Sequence, residues 1–233
     1  MTTAHAMLQE RATAMELPTL TSGAACQAAA RSRLYALLAL VFGFPDEELY
    51  AAIRDGALAR TVAALIAELP YGVSVATDGL AVAPPSCVEL ESEYIRVFDV
   101  GTAGPPCPLY GGVYGGDRMK VMEDATRFYN FFALRLAPQI RELPDHITTE
   151  LEFLHYLTFR EADAREHGVD PGSLLRAERD FLARHLCRWV PQLRVRLAKQ
   201  TTGAFYPALV CLAETYFAAD HAHTARASSE RSP

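Results

Sequence analysis

A membrane-spanning helix needs about twenty consecutive apolar residues, and no window of this chain approaches that. The first 23 residues, MTTAHAMLQERATAMELPTLTSG, lack the apolar core of a signal peptide. Together these absences predict a cytoplasmic protein with no stable membrane insertion. Basic residues are in the minority: 22 Lys plus Arg stand against 28 Asp plus Glu, a formal net charge of −6. Nucleic-acid binders ordinarily show a basic surface, so no nucleic acid is expected as a partner, whereas a basic peptide is compatible. The five cysteines (Cys26, Cys87, Cys107, Cys187 and Cys211) form no CxxC pair and are odd in number. That argues against a zinc site or a disulfide framework and for reduced thiols.

What is present is helical pattern. Half of the 233 residues are hydrophobic, enough for a sizeable core. No convincing stretch alternates with period two, GVSVATDGLAV being the one candidate. A helix stops near Gly43-Phe44-Pro45, because proline disfavours helix at the residue before it. Asp46 then reads as an N-cap, with Glu47 and Glu48 in the next first turn. Helices follow over about 57–69, VELESEYIRVF, RMKVMEDATRFYNFFALRL, the stretch from Ile147, a long 170–200 helix that Pro191 should kink, and FYPALVCLAETYFAAD. Between them lies DVGTAGPPCPLYGGVYGGD, with six glycines and three prolines in 19 residues, which no regular helix accommodates. The expected fold is all-α: one domain of about eight helices over 24–220, with one long Gly/Pro-rich loop, a flexible segment 1–23 and a polar tail 221–233.

The stretch RELPDHITTELEFLHYL carries the most chemistry. With Asp145 as N-cap and 100° per residue, Ile147, Leu151, Phe153, Leu154 and Leu157 define a buried arc. Glu150 falls inside that arc, four residues from His146. A carboxylate among leucines needs a partner, and His146 or the Gly/Pro loop could supply one. Glu152 and His155 form a Glu-x-x-His half-motif of di-iron bundles, but Glu152 faces away from the arc and no second copy exists. A helical metal-dependent enzyme using His146 and Glu150 is the alternative reading. No Ser or Cys sits in a nucleophile turn, and the Gly-Gly pairs at 111–112 and 115–116 lead to no Lys-Ser or Lys-Thr. The expectation is therefore no catalytic residue, no cofactor and no metal, but a peptide-binding surface: polar Asp145 and His146 beside an apolar groove of Phe98, Tyr110, Tyr114 and Phe153.

Four segments resemble, in order, those of the TorD/DmsD/NarJ family of molybdoenzyme-specific chaperones: RSRLYALLALVFGFPDEELY, ELESEYIRVFDVGTAGPPCPLYGGVY, LPDHITTELEFLHYL and AERDFLARHLCRWVPQL. The likeness covers about residues 31–220. It implies an all-helical, non-enzymatic protein. Its partner would be the apo catalytic subunit of a DMSO-reductase-family molybdopterin enzyme, together with that subunit's N-terminal twin-arginine leader peptide. The chaperone would hold the subunit until the molybdenum cofactor is inserted, before export. The PCPLYGGVYGG loop is most similar to the branch serving type II enzymes. By this resemblance Pro144, Asp145 and His146 occupy the signal-recognition motif, and the 99–117 loop, with Pro108, lines the same surface. Where other branches carry Tyr-Glu-Ser-x-x-Tyr, this chain has Tyr110-Gly-Gly-Val-Tyr114, which leaves the two tyrosines as the expected contacts.

Overall fold

The computed structural model describes residues 20–102, 104–136 and 142–229. Most of the segment 1–23 and the last four residues of the polar tail lie outside them. Nine α-helices and no strand occur among the described residues: α1 (Gly23–Val41), α2 (Glu47–Arg54), α3 (Ala57–Ala67), α4 (Cys87–Tyr94), α5 (Arg118–Phe131), α6 (Ile147–Glu166), α7 (Gly172–Arg184), α8 (Leu186–Leu197) and α9 (Phe205–Ser229). A π-turn (Ile95–Asp99) extends α4, and short 3-10 turns cover Asp78–Ala81 and Gly111–Val113. The GVSVATDGLAV fragment is thus a loop ending in one of these turns.

Local chemistry sets the starts. Ser22 accepts from Ala25 N–H at the head of α1, and Asp46 accepts from Leu49 N–H at 2.9 Å at the head of α2, each closing an orphan donor. α1 and α6 form the most extensive helix pair, while α9 packs on both α7 and α8. Leu34, Tyr35, Leu38, Leu151, Leu154, Leu157, Phe181, Leu193 and Phe217 are all buried in the shared core.

Three expectations about helix ends need correction. The long 170–200 helix is two helices, and the break falls at His185 (φ −118°, ψ −102°), not at Pro191. Pro191 sits inside α8, where its missing N–H leaves the Cys187 carbonyl without its helical donor. The His185 ring is buried against Phe181, 4.4 Å between centroids, so the chain turns where that side chain is anchored. α5 ends at Phe131, five residues short of the expected end, and Ala133 follows at φ 56°. At the C-terminus, α9 runs on to Ser229, nine residues past the expected end at Asp220. Thr224 is buried and donates to the Asp220 carbonyl, and His223 lies 5.0 Å from the Tyr71 ring.

Candidate functional site

The Gly/Pro loop is sewn to the start of α6 by its backbone. Gly111 N–H donates to the Asp145 carbonyl at 2.8 Å, and Ile147 N–H donates to the Leu109 carbonyl at 2.9 Å. The Asp145 carboxylate adds a third tie, accepting from Gly112 N–H at 2.8 Å. The two glycines are required by close approach. A Cβ on Gly111 would lie 3.0 Å from the Trp189 indole, and one on Gly112 would lie 2.8 Å from Asp145 Oδ2.

Asp145 is therefore not the cap of α6. His146 is: its Nδ1 accepts from Thr148 N–H at 3.4 Å and lies 2.7 Å from the Thr148 hydroxyl. Burial lowers the His146 pKa, against the opposing pull of Glu142 and Asp145, so the ring is neutral at pH 7 and its proton sits on Nε2. That nitrogen points toward Glu142, with 3.8 Å to Oε2. The Tyr110 hydroxyl donates to the same Glu142 oxygen at 2.8 Å, and the Tyr110 ring meets His146 edge-on at 4.8 Å. The Arg118 guanidinium lies over the outer side of this group, 5.6 Å from the Tyr110 centroid.

Behind this surface lies a second polar layer. Glu150 is fully buried, as its place on the helix arc predicts, but its partners come from elsewhere. Its Oε2 accepts from Trp189 Nε1–H at 3.0 Å, and its Oε1 stands 3.2 Å from His185 Nδ1, out of line for a hydrogen bond. Nε2 of His185 lies 3.2 Å from Asp124 of α5. Burial pushes the Glu150 carboxyl upward, opposed by His185 and the Trp189 N–H. Tyr129 ties α5 to the motif by donating to the Pro144 carbonyl at 2.7 Å.

The groove expected from Phe98, Tyr110, Tyr114 and Phe153 is not an open groove. Phe98 is buried between the rings of Tyr94 and Tyr206. Phe153 is buried among Phe128, Tyr129, Phe132 and Phe181. Tyr114 stacks on Trp189, donates to the Pro108 carbonyl and is covered by Arg196. Pro108 is itself buried. Of the expected contacts only Tyr110 and Pro144 remain partly exposed, and His146 is buried, 6% exposed. Glu152 also departs from expectation: it is half-buried, not solvated, and burial pushes its carboxyl up to about 8. His146 and Glu150 turn to different partners, so the metal-site pairing does not form. No group of three or more His, Cys, Asp or Glu side chains is placed to hold a metal among the described residues.

Sequence reasoning missed Glu142, Arg118, His185 and Trp189. Glu142 stood in the quoted motif, three residues before Asp145. His185 and Trp189, four apart and bearing the chain's only tryptophan, were readable as one helix face but not as the partners of Glu150.

Comparison with known proteins points the same way as the motifs. Residues 55–194 match the model of the family described as nitrate reductase delta subunit. The chain is 35% identical over 200 residues to the perchlorate reductase assembly chaperone protein of Dechloromonas aromatica, covering 80% of this chain and 86% of that one. It is 42% identical over 131 residues to the chlorate reductase assembly chaperone protein of Ideonella dechloratans, covering 54% and 68%. It is 29% identical over 138 residues to the chaperone protein TorD of Vibrio cholerae serotype O1, covering 57% and 61%. The first two relatives are named as assembly chaperones and the third as a chaperone, none as a catalyst, and the chain belongs to the nitrate reductase delta subunit family, the NarJ/TorD-like group that its motifs resemble.

Proposed function

We propose that this chain is a cytoplasmic assembly chaperone for the catalytic subunit of a type II DMSO-reductase-family molybdoenzyme. It holds the apo-subunit, in part through the twin-arginine leader, while the molybdenum cofactor is inserted before export. The observation that carries this reading is the presentation of Tyr110 and Glu142 together at one surface, with His146 buried directly against both and Asp145 locking the loop from behind. The surface offers an aromatic face, an oriented carboxylate and an N–H donor, with exposed Val113 and Met119 on the adjoining turns. Such a mixture suits a peptide with basic residues next to an apolar run. Tyr110, Pro144 and His146 make the contacts, while Asp145, Glu150, Phe98, Pro108, Tyr114 and Phe153 hold the surface in shape. A client that must later leave calls for affinity near micromolar, about −8 kcal/mol.

Calorimetry tests this with a synthetic twin-arginine leader peptide and with the whole apo-subunit. The wild type should bind at least one of them. His146→Ala should weaken that binding and also cost about 1 kcal/mol of cap energy at the head of α6, so unfolding is measured in parallel. A wild type that binds neither would end the chaperone reading.

A further inference from the structure

The carboxylate that names the motif is out of reach of any partner. Asp145 has no exposed surface, and one of its oxygens is committed to Gly112 N–H. Glu142 is the carboxylate that reaches water: its side chain is 35% exposed. The Tyr110 hydroxyl fixes one of its oxygens, and no cation is paired with it among the described residues beyond the contact with neutral His146. An oriented carboxylate beside an aromatic face is a good receptor for a guanidinium, which can pair with the first and stack on the second.

That face already carries a guanidinium. Arg118, exposed at the first position of α5, stacks over Tyr110, and no ion pair holds it there among the described residues. Its stem lies against Gly112, where a Cβ would come within 2.6 Å of Arg118 Cγ and 3.0 Å of its Cα. The glycine is thus what lets the arginine lie down on the loop.

We infer that Arg118 is a resident competitor for the client's arginine: a guanidinium of the client takes the seat between the Tyr110 ring and Glu142, and Arg118 swings off to admit it. The inference rests on the chaperone reading and adds to it the recognition element and its internal competitor. Because Arg118 stays free to return, it also speeds release, as an intramolecular competitor at high effective concentration does.

The test is calorimetry on the full chain with two synthetic peptides, one carrying an Arg-Arg pair before an apolar run and the other Lys-Lys at the same positions. The wild type should prefer Arg-Arg. Glu142→Gln keeps an acceptor for the Tyr110 hydroxyl. It should weaken the Arg-Arg peptide by about tenfold, as loss of a charge-assisted hydrogen bond does, and bring the two peptides close together. Arg118→Ala should change binding in the opposite direction, tightening the Arg-Arg peptide several-fold. Melting temperatures measured in parallel show that each variant is folded, and the wild-type Arg/Lys preference and Arg118→Ala keep the test decisive should Glu142→Gln misfold. An unchanged Arg/Lys ratio in Glu142→Gln overturns the seat, and unchanged or weaker binding by Arg118→Ala overturns the competitor. A wild type that binds the apo-subunit but neither peptide overturns the inference while the chaperone reading stands. A wild type that binds none of the three overturns both.

Discussion

Two buried polar regions of this molecule are built in opposite ways. At the junction of α1, α6, α7 and α9, Arg31 pairs with Glu161, Glu178 and Asp220, and Tyr35 and Tyr71 also donate to Asp220. Arg165 pairs with the other oxygen of Glu161 at 2.6 Å. Burial pushes the Glu178 carboxyl upward, with Arg31 opposing. Burial also works to raise Asp220, but Arg31 and the two tyrosine hydroxyls hold it below its ordinary value. Two guanidiniums thus serve three carboxylates, and of this network only Glu178 Oε1 lacks a hydrogen bond. Beneath the Gly/Pro loop the balance is looser. Asp145 Oδ1, Glu150 Oε1 and both ring nitrogens of His185 have no aligned hydrogen-bond partner. The first region is finished and can only hold the fold. The second is incomplete, and it lies directly behind the surface assigned to the client.

Cutting into the finished region should have the largest effect. Arg31→Met leaves charged carboxylates in the core without their cation, and breaking a buried ion pair from one side costs about 3–5 kcal/mol. Denaturant unfolding should show that loss, or a chain that no longer folds. A loss under about 1 kcal/mol would mean that the network is wetter than its burial implies.

The looser region should yield less. Glu150→Ala strands the Trp189 N–H and opens space beside His185, with an expected cost of about 1–3 kcal/mol. Asp145→Ala leaves Gly112 N–H without an acceptor and frees the loop from α6, costing about 1–2 kcal/mol. Asp145→Asn, which keeps an acceptor, should recover most of that. If the two Asp145 variants unfold alike, the anchor is the charge and not the hydrogen bond.

The comparison also explains what could be read from the sequence. Caps are written within four residues, so Asp46 and the start of α2 were legible. The burial of Glu150 was legible too, because a helix arc is fixed by spacing within one element. Its partners were not, because His185 and Trp189 lie 35 and 39 residues away and a wheel describes one helix alone. The aromatic groove failed for the same reason. Phe98, Tyr114 and Phe153 are apolar enough for either a groove or a core, and only the packing of α5, α7, α8 and α9 on them decides. Arg31 stood in an alanine-rich helix on the face of Leu34, Tyr35 and Leu38, a visible anomaly. The three carboxylates that answer it come from three other helices.

The last prediction has the opposite sign and concerns Glu152 of α6. Glu152 is half-buried, and burial alone raises its carboxyl from 4.5 to about 8. The folded chain therefore keeps this proton through a window in which the unfolded chain has released it. Between pH 4.5 and about 8 the native state binds more protons, so stability falls as pH rises through that window and returns as pH falls. Glu152→Gln mimics the protonated side chain without titrating. It should match the wild type near pH 5, be the more stable of the two at pH 8, and show a shallower pH slope between them. Glu178, also pushed upward by burial, is present in both proteins, so the difference between the two curves isolates Glu152. Parallel curves, or a variant less stable than the wild type at pH 8, would mean that Glu152 is ionised and paired in the folded state.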